Sequence, residues 1–321
     1  MSEGAVDWPG LLKWSLKYTD STRAKNLKSL SKEDVEFIET AIKESGATID
    51  PSKLIEEAVQ HFTNDSLTET DKITALVTIK DCVDDFPEVS RHLDSLQVLP
   101  ILLKAIQMNH EEIRNVGYHI LSFSLSNNEK IQIEFWKAGG LIELLKDREA
   151  LLTNPLNLSA LSSLIRQVKN IEEDFLKLGG FEIISTGIQS PNSKIQIKAA
   201  NIFKHLAIDE LCTIKEILQA KIPEAFAFMI KNISNTFDSI QLGESCCFAV
   251  QELLQCLTNV SSCEAEQLEE VVKERNRALE LLKESIHYRF KNIDPQDQSY
   301  EQEKKVWLNL LYSLQKQQHF N

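Results

Sequence analysis

Phe175-Leu176-Lys177-Leu178-Gly179-Gly180-Phe181 is the stretch that decides the fold. Two adjacent glycines between apolar helical patterns suit a helix end. Glycine tolerates the left-handed backbone that stops one helix before the next begins. The same device stands earlier as Gly139-Gly140-Leu141, so Leu141 and Phe181 lie forty residues apart. Val98-Leu99-Pro100 fits the slot once more, with Leu99 forty-two residues before Leu141. Ile222-Pro223 fits it again, Ile222 standing forty-one after Phe181. Four units at this period predict an all-α chain, a right-handed armadillo-like or HEAT-like α-solenoid.

The match continues inside the units. Ile113 follows Leu99 by fourteen residues and Ile195 follows Phe181 by fourteen, and each opens a helical pattern. The small residues Gly117 and Ala199 then coincide, as close helix packing requires. The third unit supplies Leu158 to Arg166 in the same role. This register predicts Leu144, Leu164 and Phe203 in the core. It also makes His119, Ser159 and Asn201 equivalent outward positions, and likewise Phe123, Ser163 and His205, with Arg166 and Lys204 as polar neighbours. Residues 50–95 carry helical patterns such as Ile73, Leu76, Val77 and Ile79, and read as an incomplete first unit. A charged helix over 264–291 presents Val271, Leu279, Leu282 and Ile286 on one face, and Asp294-Pro295 breaks it. Val306, Trp307, Leu310, Leu311 and Leu314 mark a closing helix. The expected organisation is a flexible N-terminal segment over 1–29, N-terminal helices and cap over 30–95, repeats over 96–260, and capping helices over 261–321.

Composition narrows the function classes. The 321 residues carry a net charge of −13, which disfavours duplex DNA and anionic membrane as main ligands. Only 10 glycines and 8 prolines argue against a β-sandwich with its many tight turns. No apolar run approaches the roughly 18 residues of a membrane span. Glu3 and Asp7 precede any basic residue, unlike a secretory leader, and a cytoplasmic location is expected. The six cysteines form no CxxC pair, and Cys246, Cys247 and Cys256 lie in an apolar helical run where a thiol acts as a small hydrophobe. The sequons at Asn64, Asn157, Asn232 and Asn259 then read as chance matches.

No catalytic constellation emerges. Phosphate-binding glycine motifs and HExxH are absent. Gly243-Glu244-Ser245-Cys246 starts like a nucleophile elbow, but Cys247 stands where the second glycine belongs. Seven histidines show no i, i+4 pairing with one another and no neighbouring cysteine ligands. No catalytic residue, cofactor or metal is therefore expected, and an enzyme is disfavoured. A solenoid offers a long concave surface to a protein partner instead. Peptide-binding armadillo proteins would carry tryptophan and asparagine ladders there, whereas no tryptophan lies between Trp14 and Trp136 or between Trp136 and Trp307.

The N-terminal region adds a second signal. Leu11-Leu12-Lys13-Trp14-Ser15-Leu16-Lys17-Tyr18-Thr19-Asp20 is followed by Leu30-Ser31-Lys32-Glu33-Asp34 and then Phe37, Ile38, Ala41 and Ile42. Ser31 suits a helix N-cap with Asp34 at the third position, ahead of an apolar stripe. This pairing, together with Ala160 to Arg166 and Phe175 to Phe181, resembles the armadillo-type nucleotide exchange factors of heat-shock protein 70, the Fes and heat-shock-protein-70-binding-protein family. The resemblance covers residues 8 to about 210; residues 85–93 depart from the family's usual run.

The resemblance implies a monomeric co-chaperone. Its concave face would hold the ATPase domain of heat-shock protein 70 and promote ADP release, and so client release. His119, Phe123, Ser159, Ser163, Arg166, Asn201, Lys204 and His205 are the candidate contacts. It also implies that Leu11, Leu12, Trp14 and Leu16 imitate an unfolded client toward the chaperone's substrate-binding domain. The alternative is a passive armadillo scaffold with no effect on a nucleotide cycle, which would have no use for the Leu11–Leu16 block.

Overall fold

The computed structural model describes residues 32, 50–236, 239–258, 268–293 and 297–318. The chain divides into two compact units, Met1–Leu54 and Ile55–Asn321. In the first, Asp50 accepts hydrogen bonds from the backbone of Ser52 (3.1 Å) and Lys53 (3.4 Å), where helix α1 (Pro51–Thr63) begins. The Leu11–Leu16 block, the capped pattern after Ser31, and the Asp294-Pro295 break lie outside the described residues.

The second unit is helical, with no strand among its described residues. Helix α2 (Glu69–Asp85) leads into a 3₁₀ turn (Pro87–His92), and then α3 (Val98–Gln107) and α4 (Glu111–Ser124) follow. Next come α5 (Glu129–Lys137), α6 (Gly140–Lys146), α7 (Arg148–Thr153) and α8 (Pro155–Ile165). A third unit holds α9 (Lys169–Lys177), α10 (Gly180–Ile188) and α11 (Ser193–Ile208). A fourth holds α12 (Ile214–Gln219), α13 (Ile222–Asn232) and α14 (Ile240–Thr258). Helices α15 (Leu268–Asn292) and α16 (Glu301–Gln318) complete the unit.

The period expected from the sequence is the period of the fold. Helices α3, α6, α10 and α13 begin at Val98, Gly140, Gly180 and Ile222, spaced 42, 40 and 42 residues apart. Each is preceded by a residue with left-handed backbone: Gln97 (φ 56°), Gly139 (φ 86°), Gly179 (φ 89°) and Lys221 (φ 55°). The corner is the same in every unit, but only two units use glycine for it. The second glycine of each pair has a different cause. The rings of Phe135 and Phe175 occupy the space that a Cβ at Gly140 and Gly180 would need.

Packing follows from where small and capping residues stand. Gly117 lets α4 approach Ile106 and Ala105 of α3 closely, and Ala199 of α11 packs on Gly187 of α10. Asn154 and Asn192 cap α8 and α11 with their side-chain oxygens, satisfying amides that the helix leaves open. Thr68 and Thr213 form complete capping boxes with Asp71 and Glu216. The longer third helices then stack in chain order, α2 on α4, α4 on α8, α8 on α11 and α11 on α14. Leu144, Leu164 and Phe203 are buried as expected, and Phe203 meets Phe226 edge to face at 5.4 Å between centroids.

A buried polar clasp fastens the last two helices. Arg289 of α15 donates to both carboxylate oxygens of Glu303 of α16, at 2.8 and 3.1 Å. Its remaining donors reach the Ile233 and Ser234 carbonyls and the Asn235 side chain (3.0, 3.3 and 2.6 Å). Glu303 also accepts from the indole of buried Trp307 at 2.9 Å. Every charge is thus paired and hydrogen-bonded, which a buried ion pair requires. Gly243 of α14 leaves the space that Glu303 fills.

Candidate partner-binding face

The stacked row α2, α4, α8, α11 and α14 is the third-helix layer, the surface from which the expected partner contacts project. Its outward side chains are half-buried or exposed, and many are tied across helix boundaries. His119 of α4 places Nε2 3.3 Å from both carboxylate oxygens of Asp84 of α2, which also pairs with Lys80 at 3.3 Å. Ser163 of α8 donates to the Ser122 carbonyl of α4 at 2.8 Å. Asn154 and Asn115 join the same two helices at 2.6 Å. Lys204 of α11 lies 5.9 Å from the centre of the Phe248 ring of α14, a cation–π spacing.

The eight candidate contacts therefore fall into two groups. Phe123, Arg166, Asn201 and Lys204 keep side-chain surface available, Phe123 being 39% exposed. His119, Ser163 and His205 spend polar atoms inside the chain, and Ser159 bonds back to the Pro155 carbonyl at 2.8 Å. Phe123 stands at a groove of about 710 Å³ lined also by Pro87, Ser90, Arg91, Ser126 and Lys130. Lys130 is held by Asp94 at 2.7 Å.

Several residues that support this face are not evident from the sequence. Buried Gln132 of α5 donates to the Ser163 and Arg166 carbonyls at 2.6 and 2.8 Å, so it fixes the end of α8. Lys198 of α11 is half-buried; burial, and then the positive Arg166, hold its ammonium below the usual lysine range. Buried Glu172 of α9 meets His205 at 3.0 Å, and Asp209 meets the same nitrogen at 3.1 Å. Burial pushes the Asp209 carboxyl up; His205 opposes that shift and Glu172 adds to it.

The described tryptophans lie off this row, and the described cysteines are buried or half-buried. Trp136 is on α5 and Trp307 is buried beside Glu303, so neither extends from the third-helix row. Cys246 and Cys247 are buried within α14, where burial pushes both thiols up, Cys247 to about 12. A thiol so raised is a poor nucleophile. No described helix is long and apolar enough to cross a membrane.

A sequence model of the SIL1/FES1/HPBP1 C-terminal domain matches residues 89–317. The nucleotide exchange factor SIL1 of Xenopus laevis is 26% identical over 169 residues, covering 51% of this chain and 36% of that protein. The Hsp70 nucleotide exchange factor FES1 of Eremothecium gossypii is 24% identical over 209 residues, covering 59% of this chain and 72% of that protein. FES1 of Saccharomyces cerevisiae is 27% identical over 163 residues, 48% of this chain and 54% of that protein. The chain thus spans about a third of the length of the SIL1 protein it matches. Among solved structures, a designed armadillo repeat protein in complex with the peptide (KR)4 superposes with a TM-score of 0.57 at 14% identity, covering 80% of this chain and 99% of the other. That likeness concerns the fold.

Proposed function

This chain belongs to the SIL1/FES1/HPBP1 family, and from that premise we propose that it is a co-chaperone, a nucleotide exchange factor for heat-shock protein 70 rather than an enzyme. The observation that carries the reading is the family match over 89–317, which includes α4, α8, α11 and α14 of the candidate face. Curated relatives of this chain are named nucleotide exchange factors.

The mechanism is a population shift. A rigid surface that fits the ATPase domain only with its nucleotide cleft open stabilises the state that holds ADP weakly. Reciprocity then requires bound nucleotide to weaken the exchange factor by the same factor. A tenfold differential corresponds to about 1.4 kcal/mol, which a few contacts supply. Phe123, Arg166, Asn201 and Lys204 are the direct contacts in this reading. His119, Ser159, Ser163 and His205 shape the surface through their internal bonds. The free thiols among the described cysteines favour a reducing compartment, and we place the protein in the cytoplasm as a monomer.

The test is release of labelled ADP from a purified heat-shock protein 70. Sub-stoichiometric chain accelerates it, and excess nucleotide weakens the complex. An unchanged off-rate at saturating chain overturns the reading in favour of a passive scaffold. A paired measurement addresses Leu11, Leu12, Trp14 and Leu16. Deleting residues 1–29 leaves ADP release intact and slows release of a bound client peptide, and Trp14→Ala with Leu16→Ala does most of the same. Client release at the full-length rate removes the client-mimic role.

A further inference from the structure

Three ligand atoms converge where α9 meets the end of α11. Glu172 Oε1 lies 3.0 Å from His205 Nε2, and Asp209 Oδ2 lies 3.1 Å from the same nitrogen. All three atoms are within 4.8 Å of one another. The Glu172 side chain is 3% exposed, His205 20% and Asp209 37%, so the cluster has a buried floor and an open mouth. Among the described residues Glu172 has no lysine or arginine partner. A buried carboxylate needs compensating positive charge.

Hydrogen bonding alone leaves this group electron-rich. One Nε2 cannot donate fully to two carboxylates. The Gln167 amide, moreover, points its proton at Glu172 Oε1 (3.1 Å) and at His205 Nε2 (3.2 Å). A donor facing Nε2 favours the ring tautomer with its lone pair there, which is the form that ligates a metal. The lone pairs of one imidazole and two carboxylates then share one small space.

We propose that Glu172, His205 and Asp209 form a binding site for a divalent transition metal, with zinc the best match. Bonds of about 2.1 Å at a tetrahedral angle place ligand atoms about 3.4 Å apart, so the two spacings to His205 Nε2, 3.0 and 3.1 Å, need changes of only a few tenths of an ångström. One nitrogen and two oxygens suit zinc, whereas calcium takes six to eight oxygens and magnesium retains most of its waters. The Gln167 amide, shared in this structure between Glu172 Oε1 and His205 Nε2, keeps only its bond to Glu172 once a metal takes the Nε2 lone pair. Holding α9 to α11, the metal fixes His205 on the candidate face, whatever that face binds.

The experiment uses tag-free full-length chain stripped with a chelator. Zinc is titrated by calorimetry, and cobalt by its visible absorption. One equivalent binds saturably at micromolar concentration or below, and the cobalt form shows the intense bands of tetrahedral coordination. His205→Gln and Asp209→Asn each weaken binding at least about tenfold, while their metal-free forms match the wild type in circular dichroism and melting. Should His205→Gln fail to fold, Asp209→Asn, altered at an exposed side chain, decides. Absence of saturable binding, or binding that a folded variant retains at full strength, overturns the site and leaves a histidine–carboxylate hydrogen-bond cluster.

Discussion

Phe175 stands in the space of the side chain that Gly180 lacks: a Cβ at position 180 would lie 2.6 Å from its ring. The two residues are five apart, on successive helices of one corner, so the contact sets how tightly α9 folds back on α10. Gly139 is a different case, with φ +86° and nothing within 4 Å of a Cβ.

Gly180→Ala therefore costs about 1–3 kcal/mol by overpacking. Replacing Phe175 by Leu in that background recovers part of the loss, a coupling of about 0.5–3 kcal/mol between touching residues. Gly139→Ala costs about 1–2 kcal/mol from its left-handed backbone alone. It shows no coupling to Phe175→Leu. Urea unfolding of the single and double variants measures both statements.

Leu164→Ala empties a fully buried site on α8, in the third-helix row. The expected loss is about 2–5 kcal/mol, read from the urea midpoint. A loss below about 0.5 kcal/mol is the range of surface substitutions, and would contradict the burial described.

The clasp on Arg289 gives an asymmetric expectation. Glu303→Ala leaves a buried guanidinium without its carboxylate and costs about 3–5 kcal/mol. Arg289→Met combined with Glu303→Leu removes both charges and costs markedly less. Thermal or chemical unfolding of the two proteins separates a need for this ion pair from a need for bulk.

Asp71 carries a pH dependence. The Thr68 hydroxyl, then the Thr68 amide, hold its carboxyl below the usual carboxylate range. A depressed folded pKa contributes stability that is present above the unfolded value, near 4, and is lost as pH falls through the folded one. The stability difference between wild type and Thr68→Ala is thus full at pH 7 and shrinks below about pH 4. Denaturation at a series of pH values reads it; a difference that stays constant down to pH 2 contradicts the assignment.

Phe123→Ala tests the partner reading at one point. Removing an exposed aromatic from a groove mouth leaves the fold intact and weakens binding to the ATPase domain by about 1–2 kcal/mol. Titration calorimetry with the isolated ATPase domain measures it, beside circular dichroism of the variant.

The sequence disclosed the repeat where glycine advertised it. Gly139 and Gly179 mark two corners, but Gln97 and Lys221 adopt the same left-handed backbone with no residue type to announce it. Apolar spacing located those two units instead. The outward positions of α4, α8 and α11 were legible from register, because helical periodicity fixes which way a side chain leaves the helix. Their bonding was not legible. Asp84 lies thirty-five residues from His119, and Glu172 thirty-three from His205. Glu172 reads as a surface carboxylate of a charged helix, and only the fold turns it inward. Gln132 is hidden for the same reason, since its partners lie over thirty residues ahead.

The Arg289 clasp has a consequence for how the molecule comes apart. In a linear stack each unit touches only its neighbours, so melting starts wherever the last interface is weakest, usually at an end. Here three acceptors from the 233–235 loop and one carboxylate from α16 converge on a single guanidinium. The loop, α15 and α16 must release together or not at all. That end should therefore resist fraying, and under heat or force the amides of α15 and α16 around Arg289 should be among the last to exchange.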